Sequence, residues 1–438
     1  MARRRRTKGH HSQRGVATLI VVMVLFFIVS LLAAYTNRNM IFEQRTAANQ
    51  YRSTQALEAA DAGIQWALAM LNGGRVDDAC LPSADPANNT FRDRYLSAAG
   101  ADQSAVNSDT SITIRNRSDG TPLMPACVFD AASNSWSCHC PSDDATTLPT
   151  VTGTAAQPMF RVRFEYITGS GSPPAVIRPD VVRIVSAGCT RPDASCLAPA
   201  PIAPAGDAMA VVSVLTTLRS GLATPPGAAV TTRGNLDAGS GPFQVVNADP
   251  ASNGITLDAG GSIAGSPTLI SLPGAPADSS ALTADSALVA LADADRMFGN
   301  VFGMAATIYQ QQPAAVVVDC SAVCDAAALN AQIVPGHVLW LNGDLRVDGN
   351  IGSPSNPVMV VVNGNASLVS GSFVGVLYAR TAGWSLGVGT TQVRGALVAE
   401  TDLSTSGTQQ VIYDPAVLAL VHQRLGSFIE VPGSWEDF

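Results

Sequence analysis

Residues Val16 to Tyr35, VATLIVVMVLFFIVSLLAAY, run for twenty positions without a charge. At ~1.5 Å per residue such a helix is about 30 Å long, the thickness of a bilayer's hydrocarbon core. Arg3, Arg4, Arg5, Arg6, Lys8 and Arg14 precede it with no acid among them. A basic block of this kind stays cytoplasmic, which puts the body on the other side. The run is longer than the core of an ordinary signal peptide, and no A-x-A-like cleavage site follows promptly. The helical pattern also outlasts it. No Gly or Pro falls between Thr36 and Ala62, and Leu57, Ala60, Ile64, Leu68 and Leu71 share one helical stripe. Asn72-Gly73-Gly74 then supplies a stop. The sequence therefore predicts one helix from Val16 to Leu71, about 84 Å long. Its first half is apolar all round and suits lipid or other helices; its second half is amphipathic and suits one soluble head.

Composition bounds the remainder. Of 438 residues only 14% are charged and 47% are hydrophobic, with 38 Gly and 27 Pro. That excludes a coiled coil and a disordered chain, and a single long apolar run excludes a polytopic membrane protein. The net charge of −8 is an average. Without the first fifteen residues, 20 basic side chains face 34 acidic ones, a net of −14. Such a body has no general attraction for nucleic acid.

Residues 73–158 are weakly patterned, with Ile112 to Arg115 a strand candidate. Three β-rich runs then follow, Met159–Ile167, Asp180–Ala187 and Ala208–Leu218, separated by Gly, Pro and Asp loops. They predict an antiparallel meander that covers the helix stripe. Pro225-Pro226-Gly227 marks a boundary. Beyond it, Arg233-Gly234-Asn235-Leu236, Asn342-Gly343-Asp344-Leu345, Asn363-Gly364-Asn365 and Val347-Asp348-Gly349-Asn350-Ile351 share a loose strand-then-turn pattern at irregular spacing. This suits stacked solenoid-like rungs or an irregular sandwich. Ser279–Met304 and Pro415–Leu425 favour helix and are expected to cap the β stack. The expected class is α+β: leader 1–15, transmembrane and assembly helix 16–72, head with antiparallel sheet 73–220, and a mostly β C-terminal domain 221–438.

Eight cysteines in an exported body imply disulfides. Cys189 with Cys196, and Cys320 with Cys324, are natural local bridges. Cys138 and Cys140, one residue apart, would strain a mutual bridge, so each is expected to join Cys80 or Cys127. Zinc on Cys127, Cys138, His139 and Cys140 matches no common module. Asp344, Asp348 and Asn350 offer oxygens for calcium, but turn-forming is the simpler role for them; no cofactor is otherwise expected. No G-x-S-x-G, H-E-x-x-H or P-loop occurs, and no enzymatic activity is expected.

These residues resemble a family. Arg14-Gly15 before an apolar helix resembles the type IV prepilin cleavage context, and Glu43–Leu68, with Ala48-Asn49 and Glu58-Ala-Ala-Asp-Ala62, resembles the N-terminal region of PilX-type minor pilins. The stretch from Gly364 to Pro415 is similar, less specifically, to longer PilX-like proteins. The resemblance implies cleavage after Gly15 by a prepilin peptidase and N-methylation of Val16. It implies packing through Val16–Ala34, including Ile20, Leu25, Phe26 and Phe27, with Arg38, Glu43, Arg45 and Arg52 making polar contacts between subunits. Major pilins usually carry Glu at the fifth mature position; here that position is Ile20, as in PilX-like pilins and GspK-like pseudopilins, which are similar in lacking it.

The expected protein is thus a non-catalytic minor pilin of a type IV pilus. It sits in the bacterial inner membrane by a single pass with a periplasmic body, then at the pilus tip on the cell surface. There it primes assembly and serves adhesion and twitching motility. The resemblance implies other minor pilins and a PilY-type tip adhesin as partners. Two alternatives are a GspK-like pseudopilin of type II secretion and an adhesin displayed through the C-terminal β domain.

Overall fold

The computed structural model describes residues 14–98, 112–117, 120–142, 157–170, 176–178, 180–193, 196, 207–292, 294–320, 323–380, 384–386 and 389–437. Helix α1 (Arg14–Leu71) is continuous for 58 residues, about 87 Å. The expected leader, residues 1–15, lies mostly outside the described residues.

The head follows. It comprises α2 (Phe91–Tyr95), β1 (Leu96–Ala98), β2 (Ile112–Ile114), β3 (Ala126–Asp130), β4 (Ser135–His139), β5 (Met159–Tyr166), β6 (Val181–Cys189) and β7 (Met209–Ser220). Thr90 caps α2 by accepting from the Asp93 amide. Strands β1 and β2 form a separate antiparallel pair. The meander β5–β6–β7 is antiparallel throughout. The weakly patterned region before it contributes the β3–β4 hairpin, which pairs along β5. This hairpin is poorly legible because β4 is exposed over Ser135–Ser137 and lacks an apolar alternation.

After β7 the chain enters a stack of parallel rungs. Its first portion holds β8 (Val230–Thr232), β9 (Leu236–Asp237), β10 (Phe243–Val246), β11 (Leu257–Ala259), β12 (Ile263–Ala264), β13 (Thr268–Ile270) and β14 (Ala281–Leu282). Helices α3 (Ser286–Val289), α4 (Ala294–Phe302) and α5 (Ala306–Tyr309) intervene. The second portion holds β15 (Ala315–Asp319), α6 (Ala326–Asn330), β16 (Val338–Asn342), β17 (Leu345–Val347), β18 (Val358–Asn363), β19 (Ala366–Leu368), β20 (Gly371–Ala379), β21 (Trp384–Leu386), β22 (Thr390–Ala399), β23 (Leu403–Thr405) and β24 (Thr408–Ile412). Last come α7 (Pro415–Arg424), β25 (Gly426–Glu430) and β26 (Glu436–Asp437).

Of solenoid and sandwich, the first is what forms: every pairing from β8 to β24 is parallel, in one eleven-stranded and one six-stranded sheet. Each rung is a long strand, a corner, then a short strand. The loose sequence pattern marks those corners, since Arg233–Asn235, Asn342–Asp344 and Asn363–Asn365 all sit at the passage from long to short strand. Pairing of Ala315 with Val338, Leu339 with Val360 and Val360 with Leu377 shows rungs of unequal length, which hides the repeat. Stack order is not chain order. The two ends of β22 pair separately, Thr390–Arg394 with β24 and Leu397–Ala399 with β8, so one rung is completed by segments far apart in sequence.

Between the sheets lies a core of Val, Leu, Ile and Ala, including Val230, Leu341, Leu368, Leu377 and Leu397. The outward side of the larger sheet is also apolar along Trp340, Val361, Tyr378, Ala396 and Val398. Phe298 and Phe302 of α4, Tyr309 of α5 and Leu418 and Val421 of α7 cover it. These helices therefore lie along a face rather than capping the ends, because that face is where unpaired apolar area remains. Only α6 sits among interior residues, through Ala326 and Leu329. The long strands kink at Gly375 and Gly395, stacked on one another with φ +140° and +132°. A Cβ on Gly395 would lie 2.0 Å from the Gly375 carbonyl oxygen, so only glycine fits there.

The solenoid returns to the head. Strand β25 pairs antiparallel with β7 over Gly426–Glu430, and β26 pairs farther along the same strand. Residues 221–425 are thus inserted between two neighbouring strands of the head sheet, and the final residues of the expected C-terminal domain belong to that sheet.

Candidate assembly helix

Helix α1 has two unlike halves. From Thr18 to Thr54 every side chain is exposed. Ile20 is 55% exposed, Leu25 56%, Phe26 74% and Phe27 65%, an apolar surface that the other described residues leave uncovered. Arg38, Glu43, Arg45 and Arg52 also lie exposed on this shaft. Gly15 and Val16 begin the helix; their side-chain surroundings fall outside the described residues. The span is long and apolar enough to cross a membrane.

The second half is seated. Ala56, Ala59, Ala60, Ile64, Ala67 and Leu71 are buried against β5, β6 and β7. Of the expected stripe, Ala60, Ile64 and Leu71 are buried and Leu68 packs partly buried against the core, whereas Leu57 is 36% exposed; Ala56, Gly63 and Ala67 widen the stripe on its other side. Close approach is the reason. A Cβ on Gly188 would lie 2.1 Å from the Ala56 carbonyl oxygen, and one on Gly63 would lie 2.2 Å from Ser186 Oγ. Large side chains cannot occupy such a contact, so small residues line it. The small residues at 56, 63 and 67 carried the part of the signal that the expected stripe left out.

The helix end is clamped by the solenoid and the returning strand. Asn72 accepts from the Phe428 amide through Oδ1 at 2.8 Å and donates to the Phe428 carbonyl at 2.8 Å through Nδ2. Its carbonyl lies 3.0 Å from His337 Nε2. Arg92, buried, donates from Nε to the Leu71 carbonyl (2.8 Å), from Nη1 to Gly336 (3.0 Å) and from Nη2 to Gly426 (3.0 Å). One guanidinium thereby joins helix end, solenoid loop and β25. Burial lowers its pKa to about 10, which leaves it charged at neutral pH. Burial, then the nearby Arg92, lowers that of His337. No sequence pattern marks Arg92, because its partners are backbone carbonyls up to 334 residues away.

Four disulfides are present: Cys80–Cys140, Cys127–Cys138, Cys189–Cys196 and Cys320–Cys324. The first ties the loop after α1 to the end of β4, and the second crosses the β3–β4 hairpin. The third and fourth close short local loops. The cysteines weighed for zinc are all consumed by these bridges.

The three residues weighed for calcium stand at solenoid corners and serve the stack. Asp344 Oδ1 accepts from the Asn365 amide (2.8 Å), Asp348 Oδ1 from the Ala326 amide (3.2 Å) and Asn350 Oδ1 from the Ser372 amide and hydroxyl (3.0 Å each). The same device recurs where Asn235 Oδ1 accepts from Ser262. Among the described residues, no three or more His, Cys, Asp or Glu side chains gather where they could hold a metal.

Residues 14–65 match the family model of the PilX N-terminal region. Among solved structures, the crystal structure of the competence-associated pilin ComZ from Thermus thermophilus is 13% identical, covering 88% of this chain and 97% of that one, at a TM-score of 0.24. A superposition that loose carries no argument. No curated protein matches the chain. The match spans the bare shaft of α1 and the first part of its seated half, and over that segment the chain is similar to PilX-type pilins.

Proposed function

We propose that this protein is a non-catalytic minor pilin that primes assembly of a type IV pilus and stays at or near the fibre tip. The observation that carries the reading is the uncovered apolar shaft from Thr18 to Tyr35, continued by an exposed, mostly polar stretch to Thr54 and joined without a break to a helix half seated in a head. In lipid such a shaft is satisfied; outside lipid it needs other apolar helices. Helix-on-helix packing therefore offers a route from inner membrane to fibre, with other pilin helices as partners. Ile20, at the position where major pilins usually carry Glu, suits a subunit whose contact is not repeated along the fibre. A head enlarged by an inserted solenoid argues in the same direction, since such bulk is hard to repeat around a thin filament. A PilY-type adhesin as tip partner and the prepilin peptidase as processing enzyme belong to this proposal.

N-terminal mass spectrometry of the mature protein is the direct test of processing: a methylated Val16 is expected, and an unprocessed or differently cut terminus removes the pilin route. Deletion of the gene should lower surface piliation and twitching. Intact piliation alongside a secretion defect would point instead to a GspK-like pseudopilin.

A further inference from the structure

Head and solenoid enclose a cleft of about 570 Å³ beside the joint. Among the described residues its charged lining is Arg75, Arg92, Arg115 and Arg424 against one acid, Asp93, with His337 alongside. The four arginines come from four places: the loop after α1, α2, the segment after β2, and α7. Burial and Arg92 hold His337 towards its neutral form, so the surplus of positive charge rests on the guanidinium groups. The contrast with the whole is large, because the body outside the first fifteen residues carries a net −14. A cleft of one sign with low-dielectric walls concentrates its field on a ligand of the other sign.

The lining is not uniformly polar. Leu218, Val334 and Leu420, half-buried, lie between the arginines, with Phe428 beneath. An inorganic anion would leave that apolar area idle. A peptide that places acidic side chains on either side of an apolar one uses both features. Arg92 is already committed to three carbonyls, and Arg424 donates to the Ser355 carbonyl. Arg115 is exposed at the mouth and placed to meet an incoming carboxylate.

We propose that the head–solenoid cleft is a docking site for an acidic peptide segment with an apolar anchor, supplied by a partner polypeptide. The inference concerns a different surface from the assembly helix and stands independently of the minor-pilin reading.

The test uses the full chain in detergent and a fluorescent eight-residue peptide of Asp and Glu around a central Leu-Phe pair. The comparison probes are the same peptide with every acid replaced by its amide, and inorganic phosphate. Anisotropy should show salt-sensitive binding of the acidic peptide, roughly tenfold or more weaker binding of the amide version, and a similar loss in Arg115→Glu. Arg115→Lys should restore most of the affinity, and the melting temperature of both variants should match that of the parent. Absence of binding by the acidic peptide overturns the proposal. So does equal binding of the amide peptide, unchanged affinity in a folded Arg115→Glu, or binding of phosphate but not of peptide.

Discussion

One helix, unbroken from Arg14 to Leu71, is bare along one half and clamped along the other. The backbone is the same in both; the side chains differ. As far as Tyr35 the bare half carries bulky aliphatic and aromatic residues on every side, and beyond it polar ones such as Arg38 and Glu43, so no single face could be chosen by a sheet. The seated half thins to Ala and Gly on one stripe, where backbone meets backbone. Bulk without a preferred face makes a surface for many neighbours, and small residues on one face make a seat for a single one.

That contrast can be broken at measurable points. The largest effect is expected at the clamp. Arg92→Met removes the donors for the Leu71, Gly336 and Gly426 carbonyls, and leaving such groups unpaired should cost about 4 kcal/mol. Denaturant unfolding of the full chain in detergent would read it. Gly188→Val forces a side chain into the Ala56 carbonyl and should cost about 3 kcal/mol, with α1 lifted from the sheet and newly accessible to proteases near Ala56. Gly227→Ala, which meets no neighbour, is the matched control.

A smaller effect is expected from pH. The folded pKa of His337 is depressed below its ordinary 6.5, so its contribution to stability is present above pH 6.5 and is lost as pH falls below it. Asp258 shifts the other way, raised to about 6 by burial, then by Asp285, so the melting temperature of the parent alone mixes the two. The difference between parent and His337→Gln isolates the histidine. It should narrow between pH 7.5 and pH 5, and an unchanged difference would remove His337 from the joint's pH response. The smallest effect on stability is expected on the bare half. Phe26 is 74% exposed, so Phe26→Ser should move the head's unfolding by less than about 0.5 kcal/mol, while reducing recovery of the protein in membranes or sheared pili. A large stability loss there would show that the two halves are less distinct than drawn.

The sequence exposed the helix fully, because an uninterrupted apolar run has few other solutions. It also exposed the meander and the helix over Pro415–Leu425, whose start the structure shows capped by Asp414 accepting from the Ala416 and Val417 amides. The solenoid was readable as strand-and-turn units but not as parallel rungs, since Asn342 and Asn363 become equivalent only through a pairing made in space. The clamp was invisible for the same reason: Arg92 and Asn72 are ordinary polar residues until their carbonyl partners arrive from elsewhere in the chain. In the long helix the residues expected to pack outward do lie bare, whereas the seat was read through Ala60, Ile64 and Leu71 but without the small residues Ala56, Gly63 and Ala67 that widen it.

The insertion of residues 221–425 between β7 and β25 has a consequence for the order of events during synthesis. The edge strand of the head and the Phe428 and Gly426 groups that clamp the helix end are made only after the whole solenoid. A chain still emerging has its membrane helix long before it has a finished head. Completion of the clamp therefore reports that the chain from helix through solenoid has been delivered, and a copy cut short within the solenoid would present the same shaft on an open, unlocked head.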